Sequence, residues 1–265
     1  MSKKAGRMNQ VIAVTGKGGV GKTTVSAFLV RLLIERGIRP VLAVDADPNS
    51  TLAPMLGLHP GVTMSDIRDD ILKEKARVTG VPKERLLEMK LEECIWEAEG
   101  FDLLTMGRPE GPDCYCYVNN LLRSALTRLR SNYPVTVVDN EAGMEHLSRM
   151  NTNDIDCLMT VCEPTAVSAR AASRIAVLAD SLPVTVRRRV LVWNKVRNGV
   201  VPKPAEELLS DVRFDQTILL PADEGVAQLS TEERSVLGAS IPEAFYQLIA
   251  ACVSDPVETV ATMRG

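Results

Sequence analysis

Gly16-Lys17-Gly18-Gly19-Val20-Gly21-Lys22-Thr23-Thr24 is the stretch from which the rest of this 265-residue chain is read. It fits the pattern G-x-x-x-x-G-K-[ST], in which a glycine-rich loop wraps an anion. Its flanks supply the required setting. Val11-Ile12-Ala13-Val14 is a short apolar run of the kind a buried strand makes. Val25 to Arg36 is a helical stretch that puts Phe28, Leu29, Leu32 and Leu33 on one side. Strand, glycine loop and helix N-terminus together make an anion site, because free backbone N–H groups face the ligand and the helix dipole favours negative charge. Every residue from Gly16 to Thr24 is expected to line a nucleotide. Lys22 is placed to reach its terminal phosphates as a point charge, and the Thr23 hydroxyl to ligate Mg²⁺.

Working outward, strands and helices alternate, which predicts an α/β protein with a doubly wound, mostly parallel sheet flanked by helices. Pro40 to Asp45 reads as a buried strand. Residues 52–92 are charged and helix-prone and read as an insertion over the sheet edge. Cys94 to Ala98 and Phe101 to Met106 flank Glu99-Gly100 as a β-hairpin. Val118 to Arg130 is expected as a helix and Val135 to Asp139 as a buried strand. Strands follow at 156–162, 189–194 and 217–220, with a helix from about 165 to 181. Glu243 to Ser254 puts Phe245, Leu248, Ile249 and Cys252 on one helical face. It lacks the Lys/Arg face of a membrane-surface helix, so it is read as packing in the core. The whole chain, 1–265, is read as one phosphate-loop ATPase domain, with 1–8 a flexible tail.

Composition narrows the function classes. At 45% hydrophobic and 25% charged residues, the chain is ordinary globular protein, long enough to bury a large core without disulfides. A net charge of −3 argues against nucleic acid as a main partner. Only two histidines are present, His59 and His146, which argues against a histidine-based metal site. No apolar run is long enough to cross a membrane, and the basic start is not followed by a secretory apolar region. The expected location is the cytoplasm, where thiols stay reduced. Of the six cysteines, Cys94, Cys157, Cys162 and Cys252 sit in apolar patterns and read as buried structural residues.

Carboxylates stand where strands end, the usual place for ligand chemistry in open α/β sheets. One strand gives Asp45-Ala46-Asp47-Pro48-Asn49, another gives Asp139-Asn140-Glu141-Ala142-Gly143. Mg²⁺ prefers hard oxygen ligands and keeps several waters. Thr23, Asp45, Asp47 and Asp139 are therefore its candidate holders, directly or through water. Asp47 is the candidate for orienting or deprotonating an attacking water, and Gly143 for offering an N–H to a γ-phosphate. Taken singly, each acid has a plainer reading as a helix cap or solvated loop residue.

The phosphate-loop pattern does not require Lys17. With it, the loop resembles the deviant Walker A motif, K-G-G-x-G-K-[ST], of the MinD/ParA and nitrogenase iron protein class. The resemblance runs through Asp45 to Pro48 as first switch and Asp139 to Gly143 as second. It implies that Lys17 crosses a homodimer interface to the partner's ATP, where positive charge stabilises phosphoryl transfer, so Lys17, Lys22 and Asp47 are the expected catalytic set. It also implies that Asn194, with Lys195, contacts adenine, and that Pro221-Ala222-Asp223 lines the base pocket. Both segments are also compatible with simple turns.

The second chemically loaded stretch is Met106 to Tyr117, with Cys114 and Cys116 one residue apart. Paired thiols in a reducing compartment are chelate-like and select soft metals: Zn²⁺, Cu(I), Ni²⁺ or Fe–S clusters. One chain offers two ligands, whereas a two-fold dimer offers four, enough for a tetrahedral or square-planar shell. The plainer reading is two small residues near a helix start. The run Gly107-Arg108-Pro109-Glu110-Gly111-Pro112-Asp113-Cys114-Tyr115-Cys116, with Asp139 to Leu147, resembles the CooC/AcsF family of nickel-enzyme accessory ATPases. That resemblance implies a homodimer holding Ni²⁺ (Zn²⁺ being possible in the same site) for delivery to carbon monoxide dehydrogenase or acetyl-CoA synthase. Two alternatives are carried forward. An iron–sulfur electron donor of the nitrogenase iron protein kind needs a second cysteine after the second switch, and 140–145 has none. A MinD/ParA-like positioning ATPase predicts a basic surface or an amphipathic anchor, and neither is evident.

Overall fold

The strand β1 (Gln10–Gly16) is buried along its whole length, as a central strand of a parallel sheet must be. It lies in a computed structural model that describes residues 9–59, 61–67, 90, 92–108, 127–142, 154–182 and 184–253. The loop after β1 leads into α1 (Lys22–Glu35), then β2 (Val41–Ala46) and the one-turn α2 (Leu52–Met55). Next come β3 (Ile95–Ala98), β4 (Phe101–Thr105), β5 (Val135–Asn140), β6 (Asp154–Ile155) and β7 (Cys157–Cys162). The rest is α3 (Ala166–Ser181), β8 (Thr185–Val186), β9 (Arg189–Val196), α4 (Lys203–Glu207), β10 (Gln216–Pro221), α5 (Glu224–Thr231) and α6 (Gln247–Cys252).

Eight strands make one sheet in the order β10-β9-β7-β1-β5-β2-β4-β3, and β6 pairs β8 beside it. All pairings in the large sheet are parallel except β3 with β4, the hairpin, which is antiparallel. The chain moves to one side of β1 for β2, β4 and β5 and to the other for β7, β9 and β10. β1 is thus the switch point, and its carboxyl end is where a ligand crevice opens in such sheets. Register carries the acids to the same level: Asp139 is opposite Val14 of β1 and Asp45 of β2.

Alternation along the strands builds two cores. Ile12, Val14, Val137 and Met159 pack under Phe28, Leu29, Leu32 and Leu248 on one face. Val11, Ala13, Val138 and Leu158 pack on the other face with Ile175 and Ala179 of α3. Helices on both faces of a parallel sheet are the doubly wound architecture expected from the alternation of elements. Phe28 meets Phe245 with ring centroids 4.6 Å apart and planes tilted by 52°, binding α1 to the C-terminal segment.

Some expectations shift. Residues 52–56 do not lie over the sheet edge: Leu52, Ala53, Met55 and Leu56 are buried in the α1 core, because helix-prone apolar residues next to a buried strand find the nearest uncovered helix face. Residues 243–252 are a 3₁₀ turn (Glu243–Tyr246) followed by α6, with Phe245, Leu248, Ile249 and Cys252 buried as expected. Most of the expected helix at 118–130, the tail at 1–8 and much of 52–92 lie outside the described residues. Cys94, Cys157, Cys162 and Cys252 are all buried and unbridged, the last held 3.8 Å from Cys157. Burial pushes the Cys94 thiol up to about 12 and that of Cys162 up to about 11, which keeps both inert. Among the described residues, no helix is long and apolar enough to cross a membrane.

Candidate nucleotide site

The loop leaves the carboxyl end of β1 through Gly16, where a Cβ would lie 2.3 Å from the Val161 carbonyl oxygen. Lys17, Gly18 and Gly19 are exposed and Val20 is buried beneath them. Gly21 forms the N-cap of α1 at φ 93°, in the left-handed region that favours glycine. A Cβ there would come within 2.5 Å of Asn194 Nδ2. The first residues of α1 are Lys22, Thr23 and Thr24, so the loop's free N–H groups and the positive end of the helix meet at one point. Lys22 is buried, and its ammonium spans the loop to donate to the Lys17 carbonyl at 3.4 Å.

Thr23, Asp45, Asp47 and Asp139 come together beside this loop. The two buried acids occupy paired positions on adjacent strands. Asp139 accepts a hydrogen bond from Ser26 Oγ at 3.1 Å, while its Oδ2 is buried with no hydrogen-bond partner among the described residues. Burial raises its pKa to about 6, against the pull of the nearby Thr23 hydroxyl and Lys22 charge. Asp45 is pushed further, to about 8, first by burial and then by the Asp139 charge. Its oxygens are already engaged, accepting from the backbone N–H of Asp47 at 3.1 Å and of Leu52 at 2.8 Å. Asp45 thus shapes the loop that carries Asp47 rather than turning a free oxygen to Thr23. Asp47 is half-buried, and its Oδ1 accepts from both the backbone and the side-chain amide of Asn49, at 2.9 and 2.8 Å. Thr23 Oγ1 lies 3.2 Å from Thr51 Oγ1, which joins α1 to the end of the same loop.

The orphaned Asp139 oxygen next to a helix-borne threonine hydroxyl is a donor set that fits a hard cation such as Mg²⁺. Among the described residues there is no group of three or more His, Cys, Asp or Glu arranged to hold a metal. Cys114, Cys116, Gly143 and His146 lie outside the described residues.

A cavity of about 930 Å³ opens beside the loop. Asn194, Lys195, Pro221 and Asp223 all line it, together with Gly19 and Gly21, so the structure brings the expected base-pocket segments to the phosphate loop. Their side chains are partly committed. Asn194 Nδ2 donates to the Val20 carbonyl at 2.8 Å. Lys195 Nζ donates to the Gly19 carbonyl at 2.9 Å and to Glu163 at 2.6 Å. Asp223 accepts from the Val226 N–H at 2.9 Å and caps α5. The sequence reading missed Glu163 and Arg197, which line the same cavity. Glu163 was within reach of the rule that picked out Asp45 and Asp139, for it is an acid just past a buried strand.

A parallel sheet with a glycine loop at its switch point and acids on the flanking strand ends defines a class of nucleotide-binding protein. The family model for the CobQ/CobB/MinD/ParA nucleotide-binding domain matches residues 11–237, and the chain belongs to that family. Within it, the chain is 40% identical over 190 residues to an uncharacterized ATP-binding protein of Methanocaldococcus jannaschii, covering 71% of this chain and 75% of that protein. It is 33% identical over 233 residues to the carbon monoxide dehydrogenase accessory protein CooC of Rhodospirillum rubrum, covering 78% and 84%. The solved structure of the septum site-determining protein MinD from Pyrococcus horikoshii OT3, complexed with Mg-ADP, is similar in fold. Its TM-score is 0.60 at 22% identity, over 90% of this chain and 93% of that one.

Proposed function

We propose that this protein is an ATP-hydrolysing metallochaperone. It works as a cytoplasmic homodimer, holds nickel through Cys114 and Cys116 of both subunits, and delivers it to a carbon monoxide dehydrogenase or an acetyl-CoA synthase. The observation that carries this reading is the 33% identity to the carbon monoxide dehydrogenase accessory protein over most of both chains, joined to the Cys114/Cys116 pair. Zinc is the competing occupant of the same thiolates.

The site's geometry supports the ATPase half. The loop N–H groups and Lys22 bind the phosphates of ATP. Thr23 and Asp139 hold Mg²⁺, with Asp45 fixing the loop beside them. When bound, Mg²⁺ neutralises charge that develops on the transferred phosphoryl group. Asp47 orients or deprotonates the attacking water, one oxygen pinned by Asn49 and the other left for the water. Lys17 is exposed at the tip of the loop and reaches the partner's nucleotide when the dimer closes. Coupling to the metal runs through the backbone: the Met106 N–H donates to the Asp45 carbonyl at 2.8 Å, and the segment starting at Met106 leads to Cys114. A change in the Asp45–Asp47 loop on hydrolysis is thereby passed to the thiolates. It releases metal to the extent that the two states differ in metal affinity.

Equilibrium dialysis of nickel against wild type and the Cys114→Ala/Cys116→Ala protein tests the reading. Loss of binding in the variant is expected; equal binding refutes it. The similarity in fold to MinD favours one second reading, a positioning ATPase, which ATP-dependent binding to liposomes or plasmid DNA would support.

A further inference from the structure

Two successive carbonyls of the glycine loop are taken by side chains from one strand end. Lys195 Nζ holds the Gly19 oxygen at 2.9 Å, and Asn194 Nδ2 holds the Val20 oxygen at 2.8 Å. A trans peptide points its C=O and the following N–H in opposite directions. Fixing the Gly19 carbonyl therefore turns the Val20 N–H off the opposite face of the loop, and fixing the Val20 carbonyl does the same for Gly21. Those two N–H groups are donors that a phosphate cradle needs. Without a brace, a run containing Gly18, Gly19 and Gly21 spreads over many backbone orientations and must be ordered at the expense of binding.

Lys195 does not take up this position for free. Its backbone sits at φ 59°, a left-handed conformation that residues with a Cβ avoid. A second contact keeps it there: Glu163 Oε1 accepts from Lys195 Nζ at 2.6 Å. Glu163 is anchored in turn. It follows β7 directly, precedes Pro164, and its N–H donates to Ser168 Oγ at 3.0 Å. Three strand ends, those of β1, β7 and β9, are thus tied together above the sheet by Glu163, Lys195 and Gly19.

We infer that Glu163 is a positioning residue of the nucleotide site: through Lys195 it holds the Gly19–Val20 peptide so that the Val20 N–H faces the bound phosphates. Asn194 serves the next peptide in the same way. Both side chains therefore act on affinity for the polyphosphate, whatever base is attached to it. The inference rests on the loop binding phosphate and is independent of the metal reading.

The test is calorimetric titration of ATP and of inorganic tripolyphosphate, each with Mg²⁺, into wild type, Glu163→Ala, Glu163→Gln, Lys195→Ala and the Glu163→Ala/Lys195→Ala double variant. An ion pair this exposed predicts a modest effect. Glu163→Ala is expected to weaken both ligands by the same factor, about threefold to fivefold. Glu163→Gln keeps an oxygen acceptor and should recover most of the loss. The double variant should be no weaker than Lys195→Ala alone, since Glu163 acts through that lysine. Weakening of ATP with tripolyphosphate unaffected would overturn the inference and make Glu163 a contact to ribose or base. Wild-type affinity in Glu163→Ala would also overturn it. Wild-type protein that binds neither ligand would instead refute the phosphate-loop reading on which it stands.

Discussion

Asp45→Asn is the substitution whose effect the structure determines most fully. Asp45 is fully buried, and its carboxyl keeps its proton up to about pH 8 in the folded chain. The unfolded chain releases it near 3.8. Between those values the folded state binds the extra proton, so stability falls as pH rises. The contribution is fully present below about pH 4 and is lost as pH passes through about 8. At about 1.4 kcal/mol per unit the full rise corresponds to roughly 6 kcal/mol. Relaxation of the neighbouring loop reduces this, so we expect about 2–3 kcal/mol to be lost between pH 5 and pH 8 in wild type. The asparagine amide cannot ionise, so the slope should flatten in the variant. It also has one oxygen for the two N–H groups of Asp47 and Leu52, which should cost about 1 kcal/mol at every pH. The assay is urea unfolding of nucleotide-free protein in chelator at several pH values. A wild-type midpoint independent of pH, or an unchanged slope in Asp45→Asn, would refute the argument.

Two further outcomes follow from the same geometry. Gly21→Ala places a Cβ against Asn194 Nδ2 at 2.5 Å on a backbone with φ 93°. ATP affinity measured by titration should fall about fivefold to thirtyfold, because a penalty of about 1–2 kcal/mol falls on the cradle when it takes its binding shape, while the melting temperature changes little because the free loop can relax. Native thiol labelling should spare Cys94, Cys157, Cys162 and Cys252, all buried, so the Cys114→Ala/Cys116→Ala protein should stay unlabelled until it is unfolded. Rapid labelling of that variant while folded would contradict the packing described.

The sequence made the architecture legible where side-chain periodicity and burial agree. The mostly apolar runs at β1, β2, β5 and β7 were readable as buried strands, and the helix expected from about 165 to 181 is α3. Residues 52–56 were misplaced because charge in the longer segment hid a four-residue helix whose apolar residues pack on α1. The short α4 and α5 carry too few turns for a period to emerge. In the site, residue types that belong to the loop itself were visible directly. The roles of Asn194, Lys195 and Asp45 were not, since they depend on which backbone groups the fold brings within reach. An Asp beside a phosphate loop looks like a metal ligand in sequence. Only the bonds from Asp47 and Leu52 show Asp45 shaping a loop.

The central claim, that ATP and metal act through one paired assembly, is tested most directly by size-exclusion chromatography with light scattering and metal analysis of each peak, for apo, ADP, ATP and nickel conditions. Two cysteines per chain and two-fold symmetry predict a dimer carrying about one nickel ion per two chains, with its population or metal content changed by ATP. A nickel-loaded monomer, or a dimer whose metal content is the same in every nucleotide state, would contradict the account.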